Sequence, residues 1–268
     1  TVRALAGVKA VMERPEPDGA IVLGAHMEAP FLAEAKAGAQ LKQYFVDPDE
    51  ENWQRYTGGL ESVVRLITMA PERAGAMEFI SALTKKGITV SIGHTTADAE
   101  TTHAAAEAGA THVTHTFNAQ TPLNHRAPGV PGAALVDDRL QCEVISDGIH
   151  LHPDIVKLII RTKGKEKLVA ITDAMEAAGM PDGQYQLGGQ EVFVHEGAAR
   201  LKNGTLAGST LTMIRAFQNL IRFGATPEEA ALMTTKTPAL SIGNEELGEI
   251  ELGAPAIFSR FDENYAFK

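Results

Sequence analysis

Only one cysteine occurs in the 268 residues, so no internal disulfide can form, and a reducing compartment is the expected setting. Cys142 lies in the apolar run QCEVIS, where a buried structural thiol is a better reading than a nucleophile. No apolar stretch is long enough to cross a bilayer, and no charged-then-apolar leader is recognisable. A membrane partner is therefore not expected, and the cytoplasm is the expected location. Basic residues are in deficit, 24 Lys and Arg against 34 Asp and Glu for a net charge of -10, which argues against nonspecific nucleic-acid binding. An anionic small molecule is still allowed, because one well-placed Arg or His can hold a phosphate. Neither G-x-S-x-G nor G-x-x-x-x-G-K-S/T is present, which removes the nucleophile elbow and the phosphate loop from consideration. What remains is ordinary globular composition, 44% hydrophobic and 22% charged, in a chain whose length suits one barrel of about 250 residues.

Residues 2–13 carry Val2, Leu5, Val8, Val11 and Met12 near helical spacing, and PEPDG at 15–19 breaks that pattern. Apolar, β-branched runs predict strands at 20–27, 62–72, 88–93, 111–117, 141–147 and 167–173. Helical patterns intervene at 73–86, 97–109 and 153–163, and two more follow at 209–223 and 226–242. Residues 31–57 read as a long polar loop with some helix, and 118–131 as a loop carrying three prolines. The stretch 176–207 differs: its Gly-Gly and Asn-Gly pairs between alternating residues predict β-hairpins. The last twenty residues read as short extended pieces. Six β-then-α units with one hairpin insertion predict an α/β protein with a parallel sheet.

The chemistry sits at strand ends. Glu28 closes AIVLGAHMEAP, His94 closes GITVSIGH, His115 lies in THVTHTFNA, and Asp173 closes KLVAITDA. In a parallel barrel the C-terminal strand ends share one face, so residues distant in sequence can meet there. Two imidazoles and a carboxylate suit zinc or a similar divalent ion, and a further carboxylate suits a proton-shuttling base. His26 and Glu28 are two apart and point to one face of a strand, although a buried structural histidine is the alternative for His26. His112 and His115 would point to opposite faces, so one of them is the expected ligand. Thr95 and Thr96 stand where a helix cap is expected, and so do Ser209 and Thr210, although the latter pair could also cradle an anion. Asp147 and His150 place two polar groups near one strand end. Arg126 in the proline-bearing loop is the candidate for holding phosphate or carboxylate, with a solvated arginine as the alternative. No lysine closes a strand, which argues against a two-metal site bridged by a carboxylated lysine.

In order along about residues 20–243, HMEAPF, SIGHTTA, THVTHTFNAQTPLNHRAPG, SDGIHLHP, ITDAM, GMPDG and GTLAGSTLTM resemble the motifs of the N-acetylglucosamine-6-phosphate deacetylase family, in the amidohydrolase superfamily. The resemblance implies a (β/α)8 TIM-type barrel over 1–243 with the hairpin insertion at 176–207, and residues 244–268 as a remnant of a small β-domain. Against that pattern the chain is expected to be a fragment that lacks the first strands and most of the small domain. The resemblance further implies one divalent metal ion on Glu28, His94 and His115, zinc foremost, with iron, manganese or cobalt also acceptable. It implies Asp173 as the catalytic acid/base and His150 as the group that orients or polarises the substrate. Gln40, Asn118, Ala119, Arg126 and Leu206 would bind sugar and phosphate, with Arg126 serving a neighbouring subunit of a homodimer. The implied substrate is an amino-sugar phosphate, hydrolysed to acetate and glucosamine 6-phosphate.

Four residues depart from the resembled pattern. Ala29 replaces a glycine and is expected to crowd a backbone turn. Gln40 replaces the histidine of K-x-G-x-H, Gln120 the methionine of N-A-M, and Ala127 the acid of R-E-P-G. These changes leave two other readings open: the same chemistry on another N-acetyl amino sugar such as N-acetylgalactosamine 6-phosphate, or a non-catalytic remnant that binds metal or a partner.

Overall fold

The structure, a computed structural model, describes residues 1–16 and 19–268, so the predicted break at 15–19 lies partly outside the described residues. The chain divides into two compact units, Thr1–Leu140 and Gln141–Lys268. In the first, α1 (Val2–Glu13), β1 (Ala25–Met27), α2 (Glu50–Thr57), β2 (Val64–Met69), α3 (Ala76–Lys85), β3 (Thr89–Ile92), α4 (Ala99–Ala108), β4 (His112–Val113) and α5 (Gly129–Val136) follow in order. Strands β1 to β4 pair side by side, all parallel. The run of β2, VRLITM, is buried at every position but one, as a strand covered on both faces requires. Trp53 of α2 and Phe31 both pack edge-on to Phe79 of α3, at ring centroid distances of 6.3 and 5.5 Å.

In the second unit, β5 (Gln141–Ile145) and β6 (Leu168–Ile171) are parallel and joined by α6 (Pro153–Lys167). Then come an antiparallel sheet, β7 (Gly183–Leu187), β8 (Gln190–His195) and β9 (Ala198–Leu201), and the helices α7 (Met213–Phe223), α8 (Pro227–Thr234) and α9 (Lys236–Ser241). Gly188 and Gly189, at φ 58° and 85°, make the predicted two-residue hairpin turn. The second turn is Glu196-Gly197, with φ 51° and 77°, and Asn203-Gly204 instead lies beyond β9. Among the described residues no helix is long and apolar enough to cross a membrane.

Several boundaries differ from the predicted ones for identifiable reasons. The run 20–27 pairs only from Ala25, because Gly24 at φ 156° passes so close to Arg65 that a Cβ would lie 2.4 Å from its Cγ, and the register shifts between Ala25 and His26. The run 111–117 yields a strand of only His112–Val113, since His115 and Phe117 turn the chain at φ 30° and 79°. The proline-bearing loop is shorter than expected: α5 begins at Gly129 and places Pro131 in its first turn, where no N–H is needed. Helix 153–163 continues to Lys167 across a non-helical Gly164, φ 63°. The pattern at 226–242 is two helices, broken at Thr235 (φ -132°, ψ -84°).

Asp137 closes α5 and ties it to α4. Its Oδ2 accepts from His103 Nδ1 at 2.8 Å and from Arg139 Nη2 at 2.7 Å, while Oδ1 accepts from Arg139 Nε at 2.9 Å. The Arg139 hydrogen bonds, with His103 assisting against the opposing effect of burial, hold its carboxyl well below the usual carboxylate range. A carboxyl depressed in the folded state stabilises above its unfolded pKa of about 3.9, and that stability is lost as pH falls below it. Asp137→Asn is therefore expected to lower the urea midpoint at pH 7, with the gap to the parent narrowing below about pH 4. A gap of constant size across that range would contradict the assignment.

Candidate metal centre and active site

Three side chains meet just past the strand ends of the first unit. Glu28 follows β1, His94 follows β3, and His115 follows β4. Glu28 Oε1 lies 2.9 Å from His94 Nε2 and 3.0 Å from His115 Nε2, and the two Nε2 atoms are 3.1 Å apart. His94 and His115 are buried and adopt left-handed backbone, φ 47° and 30°. That conformation costs a non-glycine residue roughly 1–3 kcal/mol and persists where the surroundings enforce it.

The site fits a divalent cation. His94 Nδ1 contacts the Lys36 carbonyl at 2.7 Å, so the neutral ring carries its proton there and presents a lone pair at Nε2. Burial alone would raise the Glu28 carboxyl, but when the two rings are protonated in place of a bound cation, the Nε2–H groups of His115 and His94 donate to it and, with their charge, hold it well below the ordinary range. The carboxylate is thus ionised at neutral pH. Two imidazole nitrogens and one carboxylate oxygen aimed at one another within 3.1 Å form a donor set suited to zinc and its borderline neighbours.

Supporting contacts explain the local sequence. His26 Nε2 bonds Thr68 Oγ1 at 2.7 Å, Thr68 bonds Thr114 at 2.8 Å, and Thr114 donates to Ser91 Oγ at 2.6 Å. Burial pushes the His26 imidazole down to about 4, against the opposing charge of Glu28. The hydroxyl chain also explains the glycine before His94: a Cβ at Gly93 would lie 2.7 Å from Thr114 Cβ and 2.8 Å from Thr68 Cγ2. Thr95 and Thr96 do not cap α4, as the sequence suggested; Asp98 does, accepting from Thr101 N at 2.8 Å. Both threonines instead bond Glu72, through Thr95 Oγ1, Thr96 N at 2.6 Å and Thr96 Oγ1 at 2.8 Å. Glu72 and Lys36 escaped the sequence reading. The Lys36 contact to His94 runs through a backbone carbonyl, which leaves no trace in residue type.

Of the remaining candidates in the first unit, Gln40, Asn118 and Ala119 contact this group or its neighbours. The Gln40 amide donates to Glu28 Oε2. Asn118 Nδ2 donates to the His115 carbonyl at 3.1 Å, and Ala119, at φ 49°, accepts from Thr95 N at 3.1 Å. Arg126 is exposed between Asn124 and Ala127, which form an isolated bridge. His112 is buried, with Nδ1 2.9 Å from Thr111 Oγ1. Ala29 is not among the residues of positive φ, so its backbone does not call for the left-handed conformation that favours glycine.

In the second unit, Asp173 lies just past β6 in left-handed backbone, φ 49°. Its carbonyl accepts from Ser209 N at 2.7 Å, and Ser209 Oγ donates to the Thr172 carbonyl. Gly208 permits that approach, since a Cβ there would lie 2.9 Å from the Asp173 carbonyl oxygen. Ser209 and Thr210 therefore do not cap α7; Thr212 does, accepting from Arg215 N at 3.3 Å. His150 Nδ1 is 2.7 Å from Asp147 Oδ2, and Asp147 Oδ1 accepts from Ile149 N and His150 N at 2.8 and 2.9 Å. Burial would raise the Asp147 carboxyl, but the His150 hydrogen bond and charge hold it below its ordinary value. Leu206 is half-buried and bridges Arg200 beside β9.

A model of the amidohydrolase family matches residues 2–267. The N-acetylglucosamine-6-phosphate deacetylase of Lysinibacillus sphaericus is 41% identical over 254 residues, covering 93% of this chain and 65% of that protein. The N-acetylgalactosamine-6-phosphate deacetylase of Escherichia coli O157:H7 is 39% identical over 240 residues, covering 89% of this chain and 63% of that protein. A solved structure of the N-acetyl-D-glucosamine-6-phosphate deacetylase of Mycobacterium smegmatis, an aspartate-to-alanine mutant in complex with N-acetyl-D-glucosamine-6-phosphate, matches with a TM-score of 0.91 at 36% identity. That match covers 99% of this chain and 70% of the solved one. The chain spans less than two thirds of the length of the curated relatives it matches. With the fold shared at this level and the motifs in the same order, the chain belongs to the amidohydrolase family, with its likeness there to the N-acetylglucosamine-6-phosphate deacetylases.

Proposed function

We propose that the chain carries out metal-dependent hydrolysis of the acetamide of N-acetylglucosamine 6-phosphate, releasing acetate and glucosamine 6-phosphate. The observation behind this reading is the meeting of Glu28 Oε1, His94 Nε2 and His115 Nε2 within 3.1 Å, in a chain whose relatives carry that activity in their names. Zinc is the proposed ion, chosen by the two-imidazole, one-carboxylate donor set. When bound, such an ion lowers the pKa of a water to about 7 and polarises the amide carbonyl.

The chain's own groups then have separate tasks. Asp173 accepts the proton of the attacking water and delivers it to the departing amine. Ser209, bonded to the Asp173 carbonyl, holds that residue in its left-handed conformation. Asp147 engages His150 Nδ1, leaving Nε2 to bond a substrate oxygen. Asn118, Ala119, Arg126 and Leu206 are the proposed sugar and phosphate contacts, with Arg126 acting across a homodimer. The barrel is proposed over 1–243 and the small-domain remnant over 244–268, in a cytoplasmic protein. A second reading, N-acetylgalactosamine 6-phosphate as substrate, is favoured by relatives of that name at 39% and 36% identity.

The deciding experiment is acetate release from both amino-sugar phosphates, with metal content determined on the same sample. Turnover abolished by a chelator and restored by zinc is expected, and the larger kcat/KM names the sugar. Bound metal without turnover on either sugar would point to the non-catalytic reading. Asp173→Asn is expected to keep its metal and lose about 10²–10⁴-fold in kcat; near-parental kcat would remove the acid/base role. Arg126→Ala is expected to raise KM for the phosphorylated sugar about 10–100-fold, the value of a charge-assisted hydrogen bond. An equal rise for the unphosphorylated sugar would remove the phosphate contact.

A further inference from the structure

One short segment after β1 contacts His94 and Glu28 directly and is linked through Gln120 to the backbone on either side of His115. Glu34–Lys36 forms a single 3-10 turn, and Gly38 follows at φ 58°, with a Cβ position 3.4 Å from His94 Cε1. The Lys36 carbonyl contacts His94 Nδ1 at 2.7 Å, and the Lys36 ammonium donates to the Gln120 carbonyl at 2.9 Å. Gln120 in turn brackets His115: its Nε2 donates to the Thr114 carbonyl at 2.8 Å, and its Oε1 accepts from Phe117 N at 3.0 Å. Gln40 completes the set through its Nε2 bond to Glu28 Oε2. Two of the residues that depart from the resembled motifs, Gln40 and Gln120, are thus both amides tied to the ligand group.

We propose that Gln40 is a positioning residue for Glu28, setting the affinity of the metal centre rather than serving the substrate. A carboxylate has two equivalent oxygens and rotates freely unless one of them is held. Here the Gln40 amide engages Oε2, which leaves Oε1 as the oxygen facing His94 and His115 at 2.9 and 3.0 Å. An amide is neutral and keeps its donor at every working pH. It therefore orients the carboxylate without competing for a cation, as an ammonium or guanidinium in the same place would. Partners that orient metal ligands in this way are typically worth 10–100-fold in metal affinity.

The proposal rests on the metal-centre reading above, and the test separates the two. Zinc affinity of the full chain is measured by competition with a chromophoric chelator, alongside the thermal midpoint of the metal-free protein. Gln40→Leu and Gln40→Ala are expected to bind zinc about 10–100-fold more weakly than the parent, with the metal-free midpoint unchanged. Gln40→His, which restores a donor N–H, is expected to recover part of that loss. Parental affinity in the Leu and Ala variants would overturn the positioning role while leaving the metal centre intact. If the midpoint falls together with the affinity, Gln40→His decides: recovered affinity supports the proposal, and none overturns it. A parent protein that binds no zinc would overturn the metal-centre reading itself.

Discussion

Three electron-rich atoms lie closer together than they would choose to. One carboxylate oxygen and two imidazole nitrogens stand within 3.1 Å of one another, on residues brought in by three separate strands. Such a cluster is tolerable only when positive charge sits among them, as protons or as a metal ion. Much of the local structure exists to hold this crowding in place. Left-handed backbone at His94 and His115, the missing Cβ at Gly93, and the hydroxyl chain from His26 to Ser91 all act on the same few ångströms. Together they trade local conformational comfort for preorganisation, a common arrangement where a site must accept an ion without rebuilding itself.

How much of this was readable beforehand follows from how each feature is encoded. Glu28, His94 and His115 stand out because each follows an apolar run that has no other reason to finish in a polar group. Parallel pairing was equally legible, since strand-like and helix-like periods alternate in order. Strand lengths were not. Residues 111–117 look like a uniform β run, yet only His112–Val113 pairs, because the turn that presents His115 requires a conformation that propensity cannot signal. Helix α5 was hidden by glycine and proline, the residues that normally argue against a helix, and it survives because Pro131 falls in the first turn.

The threonine and serine pairs taught a related lesson. Thr95-Thr96 and Ser209-Thr210 both precede helices and look like caps, but in each case a residue closer to the helix, Asp98 or Thr212, takes that work. The earlier hydroxyls are committed elsewhere, to Glu72 and to the Thr172 and Gly197 carbonyls. Thr95-Thr96 lies just past β3 beside His94, and Ser209 bonds the chain at Thr172 and Asp173 just past β6, so these hydrogen bonds stabilise bends and not helices. Contacts through backbone, such as the Lys36 carbonyl on His94, carry no compositional mark and become visible only in three dimensions.

Trp53 is the only tryptophan of the chain, and it is fully buried in the first unit, its indole N–H donating to Glu61 at 2.8 Å. Its emission is therefore a built-in reporter of that unit alone. Loss of structure confined to Gln141–Lys268 would leave the fluorescence blue-shifted while circular dichroism fell. Comparing the two signals during unfolding asks whether the half bearing the ligand-type residues and the half bearing Asp173 stand or fall together.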